Sequence, residues 1–315
     1  MNAPGRLGIY GAGMVIVFGA AFAAAGALVP DSAVADWTAR SATGHQDAAA
    51  DEAPGEGAEE GTDVNGLTLE ASGFVLDAIE APGEVATEGE LSFLIRDAAG
   101  DPLVAYETAH GKQLHLIVVR SDGSGYRHVH PTLDTTTGAW SLPWTWEAAG
   151  TYRVFADFTA DGGTSATLSR TVDVAGDVQP RPTTVQRTAR VDGFDVTITG
   201  DLVAGMGSEL TVEVTRDGAP VTALQPYLGA FGHLVALRQG DLAYLHVHAH
   251  GEEPEPNDLA GPTVTFTAQT PTAGRYLLYL DFQVDGAVHT AQFALDADPG
   301  DTEGAVTDDE GHSGH

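Results

Sequence analysis

Two stretches of this chain are copies of each other, and that duplication limits the fold more than any other feature. "LHLIVVR" at 114–120 aligns with "GHLVALR" at 232–238, and "GYRHVHP" at 125–131 aligns with "AYLHVHA" at 243–249. Both pairs are offset by 118 residues. Further on, "AGTYRVFADF" at 149–158 aligns with "AGRYLLYLDF" at 273–282, and the offset has grown to 124. The second copy therefore carries an insert in "HAHGEEPEPNDLAGP". A chain built this way folds one unit twice, so a reading of either copy has to hold for both.

Within each copy, short β-type runs alternate with turns. "GELSFLIRD", "KQLHLIVVR", "AWSLPWTW", "TYRVFADF" and "SATLSRTVDV" are separated by "AAGDP", "SDGSG", "EAAG" and "ADGG". Short strands at regular spacing, with Gly, Asp and Pro between them, predict an all-β sandwich. No segment has a helical period. The first sandwich is expected over residues 65–176 and the second over 185–297, with the proline-bearing "GDVQPRPTT" as the linker. Tyr152 and Tyr276 sit where a tyrosine corner would tie a sandwich edge, and Trp140, Trp144 and Trp146 are expected to pack.

Outside the repeats the texture differs. Leu7 to Val29 is uncharged and long enough to span a bilayer, with Arg6 before it and acidic residues after it. Residues 1–35 are therefore read as an N-terminal transmembrane anchor with the body outside the cytoplasm. A cleaved signal peptide, ending at Ala33-Val34-Ala35, is the competing reading and gives a secreted protein. Residues 36–64 and 298–315 are rich in Ala, Gly, Asp and Glu, and are expected to be a disordered acidic stalk and tail.

The repeated histidines ask for a reason. His115, His128 and His130 map onto His233, His246 and His248 with one offset, while other histidines, such as His110, have no counterpart. If "SDGS" closes a hairpin, His130 lies opposite His115 and His128 lies opposite Ile117. The same register in the second copy sets His248 opposite His233. Cross-strand and alternate positions share one face, so three imidazoles can converge on one cation. Leu114, Leu116, Val118 and Val129 would then face the core. Asp157 and Asp281 recur in "ADF" and "LDF", as a fourth ligand or as an acceptor holding an imidazole tautomer.

Composition narrows the chemistry. With no cysteine, thiolate sites, blue-copper centres and disulfide scaffolds are excluded. Three methionines, two of them at or in the anchor, argue against soft Cu(I) storage. The remaining N/O ligand set suits Cu(II), Zn(II) and Ni(II), with copper the leading expectation and zinc the alternative. A net charge of −31 repels nucleic acid and anionic lipid, and attracts cations. No nucleophile elbow, P-loop, His-Glu-x-x-His or dinucleotide motif is present, so no enzymatic activity is expected.

At "LHLIVVRSDGSGYRHVHP", "AGTYRVFADF" and "YLGAFGHLVALRQGDLAYLHVH" the chain resembles a group of exported actinobacterial proteins described as heavy-metal-binding or secreted. It also resembles the wider set of extracytoplasmic sandwiches that includes YtkA-like and CopC-like domains. The resemblance covers residues 65–297 and implies an immunoglobulin-like sandwich in each repeat and a link to copper or other metals. Ala249 replaces the proline of the "HVHP" motif in the second copy. The expectation is an extracytoplasmic metal-binding protein with one His-x-His plus His site per repeat, touching the membrane through its anchor alone. The alternative is a cell-surface interaction module whose histidines are structural.

Overall fold

The computed structural model describes residues 66–300, apart from 246, 252 and 256. The expected anchor and stalk, most of the expected tail, and His246 lie outside the described residues. All described residues belong to one compact unit, and among them no helix is long and apolar enough to cross a membrane.

The first repeat holds β1 (Glu70–Ala71), β2 (Phe74–Leu76), β3 (Gly89–Arg96), β4 (Leu114–Arg120), β5 (Arg127–Val129), β6 (Thr132–Asp134), β7 (Ala139–Trp144), β8 (Gly150–Ala160) and β9 (Thr164–Val174). Its two sheets run β1-β2-β3-β7-β6 and β5-β4-β8-β9. The second repeat begins with β10 (Thr188–Val191), β11 (Phe194–Thr199), β12 (Leu202–Val203), β13 (Gly207–Arg216) and β14 (Ala219–Pro220). It continues with β15 (His233–Arg238), β16 (Tyr244–Leu245), β17 (Val247–Ala249), β18 (Thr263–Gln269), β19 (Gly274–Val284) and β20 (Ala287–Asp298). Its sheets run β10-β11-β13-β18-β17, with β14 on β13, and β12-β20-β19-β15-β16. The chain changes sheets after β3, β5 and β7, and again after β14, β16 and β18, with the short β12 a further excursion between β11 and β13. This is the Greek-key crossing of an immunoglobulin-like sandwich, made twice.

Alternation sets what faces inward. Leu91, Phe93 and Ile95 on β3 meet Leu114, Leu116 and Val118 on β4, and the three tryptophans close that core. Leu210, Val212 and Val214 on β13 meet Leu234 and Ala236 on β15 in the second. The Tyr152 hydroxyl donates to the Ala148 carbonyl at 2.9 Å, and Tyr276 donates to that of Thr272 at 2.8 Å. Both are tyrosine corners.

β4 is buried along its whole length, on both faces. The reason lies outside its own sandwich. Ile117, Val119 and Phe155, on the outer face of the first repeat's β4–β8 sheet, join Val235, Leu237, Leu277 and Tyr279 of the second in a third apolar cluster. The two repeats thus dock sheet to sheet through equivalent faces. Tyr126 stacks on Tyr279 with centroids 4.0 Å apart, and Tyr244 packs on Phe155 at 5.7 Å. Under the repeat correspondence Tyr126 becomes Tyr244 and Phe155 becomes Tyr279, so the two contacts exchange. The linker is tied down at this seam. Arg120 donates to Gln179 O at 3.0 Å, Arg181 N donates to Asp122 at 2.8 Å and Arg275 donates to Thr183 O at 2.9 Å.

Candidate metal centre

The hairpin pairs Leu116 with Val129, Ile117 with His128 and Val118 with Arg127. That register carries His115, His128 and His130 onto one face, opposite Leu114, Leu116 and Val118. One ring nitrogen from each histidine lies within 4.8 Å of the other two. His115 Nδ1 is 3.1 Å from His128 Nε2 and 3.3 Å from His130 Nε2. Two nitrogens each about 2.0–2.1 Å from a tetrahedral cation stand about 3.3–3.4 Å apart, so the cluster could hold one ion; the same separations also suit ring-to-ring hydrogen bonds.

The other nitrogens decide the protons. His115 Nε2 lies 3.2 Å from the Ala109 carbonyl, and His128 Nδ1 lies 2.8 Å from Asp281 Oδ2. Carbonyl and carboxylate oxygens only accept, so both of these nitrogens carry hydrogen. His115 Nδ1 therefore presents its lone pair to both His128 Nε2 and His130 Nε2. Burial, reinforced by the charge of neighbouring His128, pushes His115 down to about 4 and His130 down to about 3. Both are neutral at pH 7, which is the ligating form.

The site is not confined to one repeat. Asp281 lies on β19 beside His233, its Cα partner on β15, yet its carboxylate reaches His128 of the first repeat. Its second oxygen accepts from the Thr290 hydroxyl at 2.6 Å. The pair is enclosed, with side-chain exposures of 4% for His128 and 3% for Asp281. Asp281 is therefore an outer partner of the first repeat's cluster. Asp157 pairs with His115 across β4–β8, and its Oδ1 accepts from Thr167 at 2.7 Å. It lines a cavity of about 290 Å³ between the repeats that His115, His128 and His233 also reach.

The second copy is built differently. β16 keeps the expected register, with Leu237 opposite Tyr244 and Ala236 opposite Leu245, and then ends. β17 pairs with β18 of the other sheet, which sets His248 opposite Thr267, not opposite His233 as expected. In the first copy the sheet change comes after the His-x-His pair; in the second it comes after Leu245, before the pair. His246 and the side chain of His248 lie outside what the structure describes. His233 donates from Nε2 to the Leu228 carbonyl at 2.8 Å, and burial lowers its pKa. His110 has no counterpart in the other copy and was not expected at the site, yet its ring lies 5.6 Å from that of His233 and 6.3 Å from that of His115. Only its position five residues before His115 hinted at this.

Among solved structures, the chain is similar at 15% identity to invasin, a bacterial integrin-binding protein (71% of this chain, 39% of that chain, TM-score 0.22). It is similar at 12% identity to the D0-D1 domain of intimin (72% and 98%, TM-score 0.21). A Salmonella alpha-2-macroglobulin mutant matches at 19% identity (76% and 15%, TM-score 0.22). The chain thus spans 39% of the invasin structure and 15% of the macroglobulin. These likenesses do not bear on what this protein does. No curated protein matches the chain significantly. Residues 72–176 and 189–299, together more than half of the chain, match one family model twice. The chain belongs to the family described as "Domain of unknown function (DUF8832)".

Proposed function

We propose that this protein is an extracytoplasmic, non-catalytic metal-binding protein that holds Cu(II) or Zn(II) at His115, His128 and His130 and buffers the ion at the cell envelope. Leu7–Val29 is its membrane anchor in this reading. One observation carries the proposal: one ring nitrogen from each of the three histidines converges within 4.8 Å of the others, while the opposite nitrogens of His115 and His128 are held by acceptors. Support also comes from the nitrogen-only donor set, which suits Cu(II) and Zn(II). His115 and His128 also line the cavity of about 290 Å³ between the repeats. The acidic surface concentrates cations near it.

Calorimetric titration of Zn(II) and Cu(II) into the protein tests this. One tight equivalent is expected, lost in both His115→Ala and His128→Ala. Uptake no greater than that of an equally acidic control protein would remove the proposal.

A further inference from the structure

We propose that the ion latches the two repeats together, with Asp281 as the positioning residue that carries the coupling; this rests on the metal reading above. The ligands all belong to the first repeat, on β4 and at the β5 end. The acceptor that fixes the tautomer and tilt of His128 belongs to the second, on β19. A continuous chain of contacts therefore runs from the ion through the His128 ring to Asp281 and on to Thr290 on β20.

The physics of that chain is direct. A cation on His128 Nε2 withdraws electron density from the ring and makes Nδ1–H a stronger donor, so the bond to Asp281 strengthens on loading. Opening the seam breaks that bond and lets the ring turn away from its two fellow ligands. Ion binding and repeat docking thus favour each other, and linkage makes the effect reciprocal. The apolar cluster of the seam and the Tyr279 hydroxyl on the Gly123 carbonyl involve none of the three ligands. Asp281 is the place where a charge of the second repeat meets the site of the first. Its two oxygens have separate tasks, one toward His128 and one held by Thr290, so the carboxylate cannot swing aside.

The experiment uses the full chain with Zn(II) as the probe. Affinity is measured by chelator competition, and hydrogen exchange is followed with and without the ion in wild type, Asp281→Asn, Asp281→Ala and Thr290→Val. Loss of an outer-sphere partner of this kind weakens metal binding about 10- to 100-fold. Asp281→Ala is expected to reach that range. Asp281→Asn, which keeps an acceptor but no charge, falls between it and wild type, and Thr290→Val shows a smaller loss in the same direction. In wild type, Zn(II) slows exchange in β15 and β19 of the second repeat as well as in β4. In Asp281→Ala the slowing is confined to the first repeat. A purely structural Asp281 would lower the stability of the metal-free protein and leave affinity unchanged, which overturns the latch. Protection confined to the first repeat in wild type overturns it equally, while the metal centre itself stands. Wild type that takes up no Zn(II) sinks both.

Discussion

Replacing Gly123 by alanine tests the docked arrangement of the repeats at one atom. Gly123 lies in the β4–β5 turn with φ at +84°, and an added Cβ would stand 2.5 Å from Leu277 Cδ1 and 3.3 Å from the Tyr279 hydroxyl. That hydroxyl also donates to the Gly123 carbonyl at 2.6 Å. Two costs follow. Holding alanine in the left-handed region costs about 1–2 kcal/mol. Forcing a methyl into a packed seam costs about 1–3 kcal/mol more. Gly100 separates the two, because its φ is +86° and nothing lies within 4 Å of the added Cβ. Gly100→Ala is thus expected to destabilise by the backbone cost alone, and Gly123→Ala by about 2–5 kcal/mol in total. Urea denaturation of the two variants beside wild type measures the difference, and thermal melts should show it at about 2–4 °C per kcal/mol. Equal losses, within about 0.5 kcal/mol, would mean that Leu277 and Tyr279 do not press on this turn, and the sheet-to-sheet seam would be wrong.

Three further outcomes are expected. Tyr152→Phe and Tyr276→Phe should each cost about 1 kcal/mol by chemical denaturation, and the double variant should show their sum, because each corner lies in its own sandwich. Burial alone would raise the Asp122 carboxyl, but the Arg120 guanidinium and the N–H groups of Arg181 and Ser124 hold it well below the usual carboxylate range. Its stabilising effect is then complete above the unfolded value of about 4 and is lost as pH falls below that toward the folded value. The stability gap between wild type and Asp122→Asn should therefore be widest at neutral pH and narrow in acid, as read from melts between pH 7 and pH 2. Zn(II) at a hundred times its Kd should stabilise wild type by about 2.7 kcal/mol, reversibly with a chelator, and should leave His128→Ala unmoved in the same melt.

Much of this was legible before any coordinates. Period-2 alternation in "GELSFLIR" and "SELTVEV" names the inward residues of β3 and β13. The turn "SDGS" fixes the first hairpin's register, and with it the shared face of His115 and His128. What the one-site-per-repeat reading lacked was the meaning of Ile117, Val119, Val235 and Leu237. These lie on the same face as the histidines, where a solvated sheet would carry polar residues. An apolar run with no alternation, as in "LIVV", marks a strand covered on both sides, and here the second cover is the other repeat. The early sheet change after Leu245 was hidden for a different reason. "AYLHVHA" and "GYRHVHP" look interchangeable, and the register depends on where the chain leaves its neighbour, which neither stretch announces. The reach of Asp281 was out of sight because it is a contact between copies, and alignment of the copies assigns each aspartate to its own.

The exchange of Tyr126–Tyr279 for Tyr244–Phe155 has a consequence for assembly. A surface that recognises its own duplicate has no means of telling a partner on the same polypeptide from one on another molecule. What favours the internal match is tethering. A short connection holds the two halves at an effective concentration in the millimolar range, far above that of free molecules at working dilution. Cutting between Gly176 and Val185 removes that advantage and turns pairing into a bimolecular event that depends on how much protein is present.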